Sequence, residues 1–367
     1  MRLERITSPG LAACGRISHH AFWSSGTGVH QCAGYGFCAP AATLKTIMSN
    51  NVEIRIPRPI IIDTDPSPDD AVAFLTALAS PDELQVLAIT TVAGNVPVNL
   101  TSKNARKALE LAQRTETPVY AGATAPLLRR LVTAEVVHGK TGFDGYDLPE
   151  PVMPLAEGFA PDAIVDLVMR RPRGEVTLCC LAPLTNIALA MVKEPRLAGH
   201  LREIVIMGGA FSEGGNITPA AEFNIYVDPE AASRVLGCGA PITMIPLDCT
   251  HQALTTAPRL EKLRSIGTPV AEAFYHLLKF NKLFDERKYG WEGGPLHDAT
   301  VIAYLLAPEI FSGRKVNIEV ECSSALTLGM TVVDWWGVTP KPSNVLLLRD
   351  LDADAYFDLV IGRLARL

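Results

Sequence analysis

The chain has 367 residues, of which 48% are hydrophobic and 20% charged, with a net charge of -6 and a pI of about 5.8. This composition supports a large buried core, offers no basic stripe for nucleic acid, and contains no apolar run of the roughly 18 residues that span a membrane. The 8 cysteines include no C-x-x-C pair, so neither a zinc ribbon nor a thioredoxin motif is indicated. Reduced thiols in the cytoplasm are therefore the default expectation.

The N-terminal segment differs from the rest of the chain. Its first 47 residues contain Glu4 as the only acid and show no sustained helical or strand period. We interpret residues 1–53 as a disordered or non-native extension, with Met48 as the true start, because regular patterning begins only near Ile54. A protein starting at Met48 that failed to fold or work would contradict this hypothesis. Residues 54–367 are predicted to form one domain, since no long linker divides them.

Strand and helix patterns alternate from residue 54 onward. Strands are predicted over residues 59–64, 84–93, 119–122, 175–181, 203–207 and 242–247. Helices are predicted over residues 69–79, 99–114, 163–171, 184–192 and 228–236, and the pattern is chiefly helical over 255–307. Late strands over 315–321, 330–335 and 345–348 precede a closing helix over 353–365. This alternation predicts an α/β fold with an open, mostly parallel central sheet and helices on both faces.

Four aspartates lie within the segment D-T-D-P-S-P-D-D, residues 63–70, directly after an apolar strand. Helix capping by Ser67, followed by a proline and two first-turn acids, explains the second half of this segment. It does not explain Asp63 and Asp65 at the carboxyl end of a strand, where ligands bind in open α/β sheets. Four close carboxylates repel one another unless a cation or protons intervene, and a hard divalent cation is the simplest solution.

Other predicted strands and helices also carry polar groups at their ends. Asn95 follows the second strand, Asp248 ends a later one, and Asp298 opens a later helix after His297. Each group alone fits an ordinary capping role. Together with Glu222 they describe one rim of polar groups, which favours a functional site.

Six ordered motifs resemble the inosine-uridine-preferring nucleoside hydrolases, and the resemblance runs from about residue 58 to the C-terminus. The motifs are D-T-D-P-x-x-D-D (63–70), T-V-A-G-N (91–95), P-L-T-N (183–186), I-M-G-G (206–209), A-E-F-N (221–224) and H-D (297–298). A late segment, residues 327–334, is also similar to that family. The resemblance implies an N-ribosyl hydrolase that cleaves the N-glycosidic bond of ribonucleosides into ribose and free base.

The resemblance also implies a tightly held Ca²⁺ and a set of roles for individual residues. The predicted metal ligands are Asp65, Asp70, Asp298 and the carbonyl of Leu181. Asp65 is also the predicted general base on the metal-bound water, and His297 the predicted acid at the leaving base. The predicted substrate-binding residues are Asp69, Asn95, His138, Met207, Asn216, Glu222 and Asn224.

Base preference is weakly encoded. The stretch 280–291 and the motif G-P-L-H-D (294–298) look closer to pyrimidine-preferring members, which favours uridine and cytidine, with inosine as a further substrate. Tyr289 and Trp291 are able to stack on a base, or they pack within an amphipathic helix. The family usually has glycine where Ser67 stands; an N-cap role for this serine makes the substitution benign.

Two alternatives remain open from the residues. Asp63-x-Asp65 after a strand also resembles the Mg²⁺-dependent haloacid-dehalogenase-like phosphatases, although a late acidic pair on a glycine turn is lacking. A nucleoside- or ribose-binding protein without turnover would use the same pocket. The resemblance further implies a homodimer or homotetramer and a small-molecule substrate, while the composition predicts no nucleic-acid or membrane partner.

Overall fold

A computed structural model describes residues 56–367; the predicted extension, residues 1–53, lies outside the described residues. The strands within the described part are β1 (Arg58–Thr64), β2 (Leu84–Thr91), β3 (Val119–Ala121), β4 (Thr177–Cys180), β5 (Glu203–Met207), β6 (Ile242–Ile245), β7 (Phe311–Val320), β8 (Thr331–Asp334) and β9 (Val345–Leu351). They form one sheet in the order β3-β2-β1-β4-β5-β6-β9-β7-β8. β7 pairs antiparallel with β8 and β9, and every other pair is parallel. The predicted mostly parallel sheet is confirmed.

Helices connect the strands. They are α1 (Pro68–Leu78), α2 (Val98–Leu111), α3 (Glu135–His138), α4 (Ala160–Met169), α5 (Thr185–Lys193), α6 (Leu197–His200), α7 (Phe223–Val227), α8 (Pro229–Leu236), α9 (Leu247–Thr250), α10 (Ala257–Arg264), α11 (Pro269–Tyr289), α12 (Ala299–Leu306) and α13 (Ala353–Leu364). No helix in this described part of the chain is long and apolar enough to cross a membrane.

Successive side chains of β1 point to opposite faces of the sheet, so this strand contributes to a hydrophobic core on each face. Ile60 and Ile62 pack into the cluster that contains α1, α2 and α11–α13 side chains, whereas Ile61 packs against α4, α5 and α8. All three isoleucines are fully buried, as expected for a central parallel strand covered by helices on both sides. The structure thus confirms the prediction that helices cover both faces of the sheet, and the run of apolar residues in β1 is the reason it was predictable.

The strand order reverses at β1, which lies between β2 and β4. Asp63 is aligned with Thr90 of β2 and with Cys180 of β4. The chain connections leave β1 and β4 in opposite directions across the sheet, so a crevice opens outside their carboxyl ends. The aspartate segment lies at this switch point.

The structure differs from the predicted boundaries mainly near the C-terminus. β7 begins at Phe311 rather than at residue 315, because its first residues pair with β9 through a bulge at Ser312/Gly313. An ideal Cβ at Gly313 would lie 2.1 Å from the Leu347 oxygen, so a glycine is required for this close approach. Because β9 is distant in the sequence, this pairing produces no periodic pattern in the first residues of β7 from which their strand structure could be predicted.

Candidate active site

The acidic segment turns directly from β1 into α1. Ser67 occupies the N-cap with an extended backbone (φ -103°), and its N–H donates to Asp70 Oδ2 at 2.9 Å. Thr64 Oγ1 donates to the other oxygen of Asp70 at 2.5 Å. The negative φ confirms the N-cap interpretation of Ser67, and serine is unstrained where the family usually has glycine.

Three carboxylates meet at this turn. Ligand oxygens of Asp69, Asp70 and Asp298 lie within 4.8 Å of one another, and all three residues are buried. Asp298 comes from the distant N-terminus of α12. The structure thus brings together the predicted ligands Asp70 and Asp298, but adds Asp69, which was predicted to bind ribose.

Asp65 lies beside this group. Its Oδ2 accepts the backbone N–H of Asn95 at 2.7 Å, and the Asn95 side-chain amide donates to the Asp65 carbonyl at 3.2 Å. Burial, reinforced by repulsion from Asp70 and Asp69, raises the pKa of Asp65 well above its usual range, so the carboxylates influence one another electrostatically. The role of Asp65 as a fourth ligand and base stays a prediction.

These buried carboxylates favour the binding of a cation, because their charges are close together and removed from water. Burial, reinforced by the neighbouring aspartates, raises the pKa of Asp298 well above its usual range and that of Asp70 to about 6. None of the ion pairs between described residues includes any of these carboxylates. A divalent cation with a preference for oxygen ligands fits this donor set, because it would neutralise the buried charge.

A second group of polar residues is built around α7. Glu222 caps this helix: its carboxylate accepts N–H groups of Asn224 (2.9 Å), Ile225 (3.1 Å) and Gly209 (3.0 Å). Asn224 Nδ2 in turn donates to the Leu181 carbonyl at 2.9 Å and to the Met207 carbonyl at 3.3 Å. Burial raises the pKa of Glu222 to about 7. These bonds fix the ends of β4, β5 and α7 relative to one another.

A cavity of about 250 Å³ connects the two groups. Ten of the twelve predicted site residues line it: Asp69, Asn95, His138, Leu181, Met207, Asn216, Glu222, Asn224, His297 and Asp298. Asp65 and Asp70 are not part of the lining, although both are bonded to residues of the same turn. Most of the residues predicted from the sequence thus border one cavity, and the roles assigned to them stay predictions.

His297 is held at the cavity by α9. Its Nδ1 lies 2.7 Å from Thr250 Oγ1. Burial, with the nearby His251 and His138, lowers the pKa of His297 to about 4, against the opposing charge of Asp69. The ring is therefore neutral near pH 7, and a Thr250 hydroxyl that donates to Nδ1 leaves the ring proton on Nε2.

The far side of the cavity belongs to α11 and α3. His138, at the end of α3, has its Nδ1 3.1 Å from Asn281 Nδ2 of α11. Sequence analysis identified this part of α11 only as a stretch and singled out its aromatic residues. Tyr289 does line the cavity, but its ring stacks on Trp291, with centroids 4.5 Å apart, and Trp291 does not line it.

The other lining residues are not among those predicted from the sequence motifs: Thr133, Ala134, Val136, Val137, Ile217, Phe223, Thr255, Leu278, Asn281, Lys282, Phe284, Asp285, Lys288, Gly294 and Pro295. Seven residues of α11 line the cavity in all, at successive spacings of one to three. A helical period predicts which residues share a face, but it does not show that a face borders a cavity rather than a core.

The geometry does not favour a phosphatase. That interpretation needs Asp63 as the nucleophile, but Asp63 is 1% exposed. Its Oδ1 accepts from Thr90 Oγ1 at 2.6 Å and Asn186 Nδ2 at 2.8 Å, inside the sheet rather than at the cavity. A nucleophile must reach the reacting atom of its substrate. Asp63 is instead placed to support the turn that follows it.

Comparisons with known proteins agree with this geometry. The family model described as inosine-uridine preferring nucleoside hydrolase matches residues 60–358. An uncharacterised protein of Schizosaccharomyces pombe is 51% identical over 308 residues, which cover 84% of this chain and 99% of that protein. The pyrimidine-specific ribonucleoside hydrolase RihA of Photobacterium profundum is 46% identical over 309 residues, covering 84% and 99%.

A solved structure is also similar over the same part of the chain. The plant nucleoside hydrolase PpNRh1 matches with a TM-score of 0.77 and 33% sequence identity, covering 84% of this chain and 99% of that one. The part of the chain that matches the family model, the relatives and the solved structure is thus the part that forms the described sheet and cavity. The chain therefore belongs to the inosine-uridine preferring nucleoside hydrolase family, which confirms the resemblance that its motifs show.

Proposed function

We propose that this protein hydrolyses the N-glycosidic bond of ribonucleosides in a Ca²⁺-dependent reaction that releases ribose and the free base. The observation that carries the proposal is one cavity with buried carboxylates at one end and His297 on its wall. Cleavage of a glycosidic bond needs both features: negative charge that stabilises the developing ribosyl cation, and an acid that protonates the leaving group. The names of the relatives support the same reaction class.

The residues at the sheet edge would hold the metal and the attacking water. Asp65, Asp70, Asp298 and the Leu181 carbonyl are the proposed ligands. Bound calcium would supply charge that orders the ribose hydroxyls and acidifies a water. Asp65 takes the proton from the attacking water, while its Oδ2 is positioned by the Asn95 N–H. Calcium suits this mixture of carboxylates and a carbonyl because it accepts six to eight oxygens in flexible geometry.

The ribose would lie between Asp69 and the α7 group. Asp69, Asn95, Asn216, Glu222 and Asn224 offer carboxylate and amide groups to its hydroxyls, with Met207 against the ring; all six line the cavity. The carboxylates also stabilise positive charge as it develops on the sugar. The Glu222 carboxylate is already fixed by backbone hydrogen bonds, and Asp69 Oδ1 accepts a hydrogen bond from the Ser67 hydroxyl, so little reorganisation is needed during the reaction.

His297 would protonate the departing base. The Thr250 hydroxyl orients its ring. Because the ring is neutral in the free protein, this role requires an imidazolium formed in the substrate complex, a state that the charge of Asp69 favours against the effect of burial. The imidazolium would give its proton to the leaving base and return to the neutral form. His138 contacts the base from the opposite wall. The loop around His138 contains Gly139 and Gly142, both with positive φ, and these glycines are suited to act as hinges if the loop closes over substrate.

We further propose that pyrimidine nucleosides, uridine and cytidine, are preferred, with inosine as an additional substrate. Support comes from the pyrimidine-specific relative at 46% identity and from the sequence of α11 and the segment 294–298.

The cysteines within residues 56–367 are all free, which favours a reducing compartment such as the cytoplasm. We also propose that the protein is a homodimer or homotetramer and that it acts in nucleoside salvage without nucleic-acid or membrane partners. Analytical ultracentrifugation tests the oligomeric state.

One assay separates the proposal from its alternatives. Purified protein is incubated with uridine, cytidine, inosine and p-nitrophenyl phosphate, with and without a chelator, followed by re-addition of Ca²⁺, Mg²⁺ or Zn²⁺. We expect ribose release that is lost with chelator and restored best by Ca²⁺. Phosphate release would instead support a phosphatase. Tight uridine binding without ribose release would support a non-catalytic binding protein.

A further inference from the structure

Asn104 is a buried polar residue in the middle of α2 that has no part in the proposed reaction. It lies on the buried face of this helix with Thr101, Ala105 and Ala108, and it is 2% exposed. Asparagine is a poor residue for a helix interior, because its amide competes for backbone hydrogen bonds. A buried amide also costs free energy unless it is hydrogen-bonded. The partners of this amide therefore show what the position contributes.

The Asn104 amide joins two segments that are far apart in the sequence. Its Nδ2 donates to the Pro66 carbonyl at 3.0 Å and to the Thr141 carbonyl at 2.8 Å. Pro66 belongs to the acidic turn between β1 and α1, whereas Thr141 closes the segment 134–141, which carries His138. Both acceptors are carbonyl oxygens, so only the NH2 end of the amide is able to face them. One side chain thus ties the acidic turn to the end of the segment 134–141.

The start of the same segment is attached to the acidic turn by Asn95. The Ala134 N–H donates to the Asn95 carbonyl at 2.9 Å, and Asn95 itself holds Asp65 through its backbone N–H and its side chain. None of the residues 135–140 between the two anchors is buried. Together with the contact to Asn281, the two anchors therefore determine where His138 lies.

The chain fits closely against Asn104 just after the second anchor. An ideal Cβ at Gly142 would lie 2.8 Å from Asn104 Nδ2, and Gly142 has a φ of +81°. A side chain at this position would press on the amide and would also strain the backbone. On the other side of the anchor, the Asp144 carboxylate accepts the N–H groups of Lys140 at 3.1 Å and Thr141 at 3.2 Å. The amide, the glycine and the carboxylate together hold Thr141 in one place.

We propose that Asn104 is a positioning residue of this enzyme, which holds the segment 134–141 against the acidic turn so that His138 and the carboxylates face the same substrate. Asn104 does not line the cavity, so it acts through the two segments that it joins. The inference rests on the proposed nucleoside hydrolysis and on the proposed contact of His138 with the base. It assigns a function to a residue that touches neither the substrate nor the metal ligands.

A double-mutant cycle tests whether Asn104 acts through His138. Asn104→Leu keeps a side chain of similar size but removes the donor. We expect kcat/KM for uridine to fall roughly 10- to 100-fold, which is the worth of the two hydrogen bonds that are lost. In a His138→Ala background the same substitution should cost less than about threefold, because the group that Asn104 positions is already absent. Equal losses in the two backgrounds would overturn the proposal.

The matched control is Asn344→Leu. Asn344 Nδ2 also donates to two backbone carbonyls, those of Leu236 at 3.1 Å and Ile318 at 3.0 Å, but Asn344 does not line the cavity. Its replacement should lower the thermal unfolding temperature and leave kcat/KM for uridine at the parent value. A loss of activity as large as that in Asn104→Leu would show a general effect of stability and would contradict the proposal.

Limited proteolysis separates this inference from the proposed reaction, because it needs no turnover. Lys140 is exposed, and cleavage after it by trypsin requires the segment to detach. Asn104→Leu, and independently Gly142→Ala, should release the fragment that ends at Lys140 roughly tenfold faster than the parent, since the detached population rises; Asn344→Leu should not. An unchanged rate in both variants would refute the anchor even for an enzyme that hydrolyses uridine. Faster cleavage in a protein that releases no ribose would support the anchor and refute the proposed function alone.

Discussion

Gly94 makes it possible to displace Asp65 without changing any functional group. An ideal Cβ at Gly94 would lie 2.0 Å from Asp65 Oδ2, 2.9 Å from its Cγ and 3.0 Å from Pro183 Cδ. The backbone of Gly94 is outside the left-handed region, so alanine brings no backbone strain there. Gly94→Ala therefore tests the placement of one carboxylate.

The magnitude follows from the overlap. Real Cβ atoms essentially never approach within 3.0 Å of another heavy atom, so the Cβ and Oδ2 must separate by at least a further 1.0 Å (3.0 minus 2.0). The side-chain oxygen is the atom that moves most easily. The same oxygen holds the Asn95 N–H at 2.7 Å, and that bond is lost on displacement. A misplacement of about 1 Å in a reacting group costs about 100-fold in rate. Overpacking of this kind also costs about 1–3 kcal/mol of stability.

The assay is ribose release from uridine in excess Ca²⁺, together with thermal unfolding. We expect Gly94→Ala to stay folded at the assay temperature while kcat/KM falls about 100-fold. Gly362→Ala is the matched control, since an ideal Cβ there has no atom within 4 Å, and its activity should equal that of the parent. Activity within threefold of the parent in Gly94→Ala would refute the reasoning that Asp65 must hold this position.

Three further predictions concern single residues. Asp65→Ala should abolish turnover of uridine, and full activity in that variant would rule out the proposed base. Ser67→Gly should leave kcat/KM within a few-fold, because serine already has a relaxed N-cap backbone; a large gain would contradict this. Glu222→Gln removes a carboxyl whose pKa burial raises from 4.5 to about 7. A raised pKa stabilises the folded state at low pH, and this contribution is lost as pH rises through the folded value. With chelator present, the free energy of unfolding from urea titrations should thus fall less between about pH 4.5 and pH 8 in Glu222→Gln than in the parent; an equal fall would contradict this.

The sheet was predictable from the sequence because its central strands carry continuous apolar runs. Ile60-Ile61-Ile62 has no polar position, which is typical of a strand covered on both faces. The polar residues after such runs were predictable for the same reason, since parallel strands end at one edge. Asn95 and Asp65, 30 residues apart, meet there as expected.

The parts that could not be predicted depend on contacts between distant segments. α3 has four residues, too few for a helical period to be visible. The contact of His138 with Asn281, 143 residues away, has no counterpart in local sequence. Asp285 likewise resembles an ordinary charge on an amphipathic helix. Only the structure shows that a cavity, rather than solvent, borders that face of α11.

The motif P-L-T-N contributes to the site without contacting the cavity. Asn186 Nδ2 donates to Asp63 Oδ1 at 2.8 Å and to the Thr91 carbonyl at 3.0 Å, while its Oδ1 accepts the Ala123 N–H at 2.9 Å. One buried amide thus ties the ends of β1 and β2 to the residue pair that follows β3. An ideal Cβ at Gly122 would lie 2.2 Å from Asn186 Oδ1, so glycine is needed for this approach. Asp63 therefore supports the acidic turn through the sheet: its Oδ1 is held by Asn186, and the two residues after it carry the chain to Asp65. The same hydrogen bonds of Asn186 therefore hold the ends of β1 and β2 together and support the turn that carries Asp65, the proposed general base.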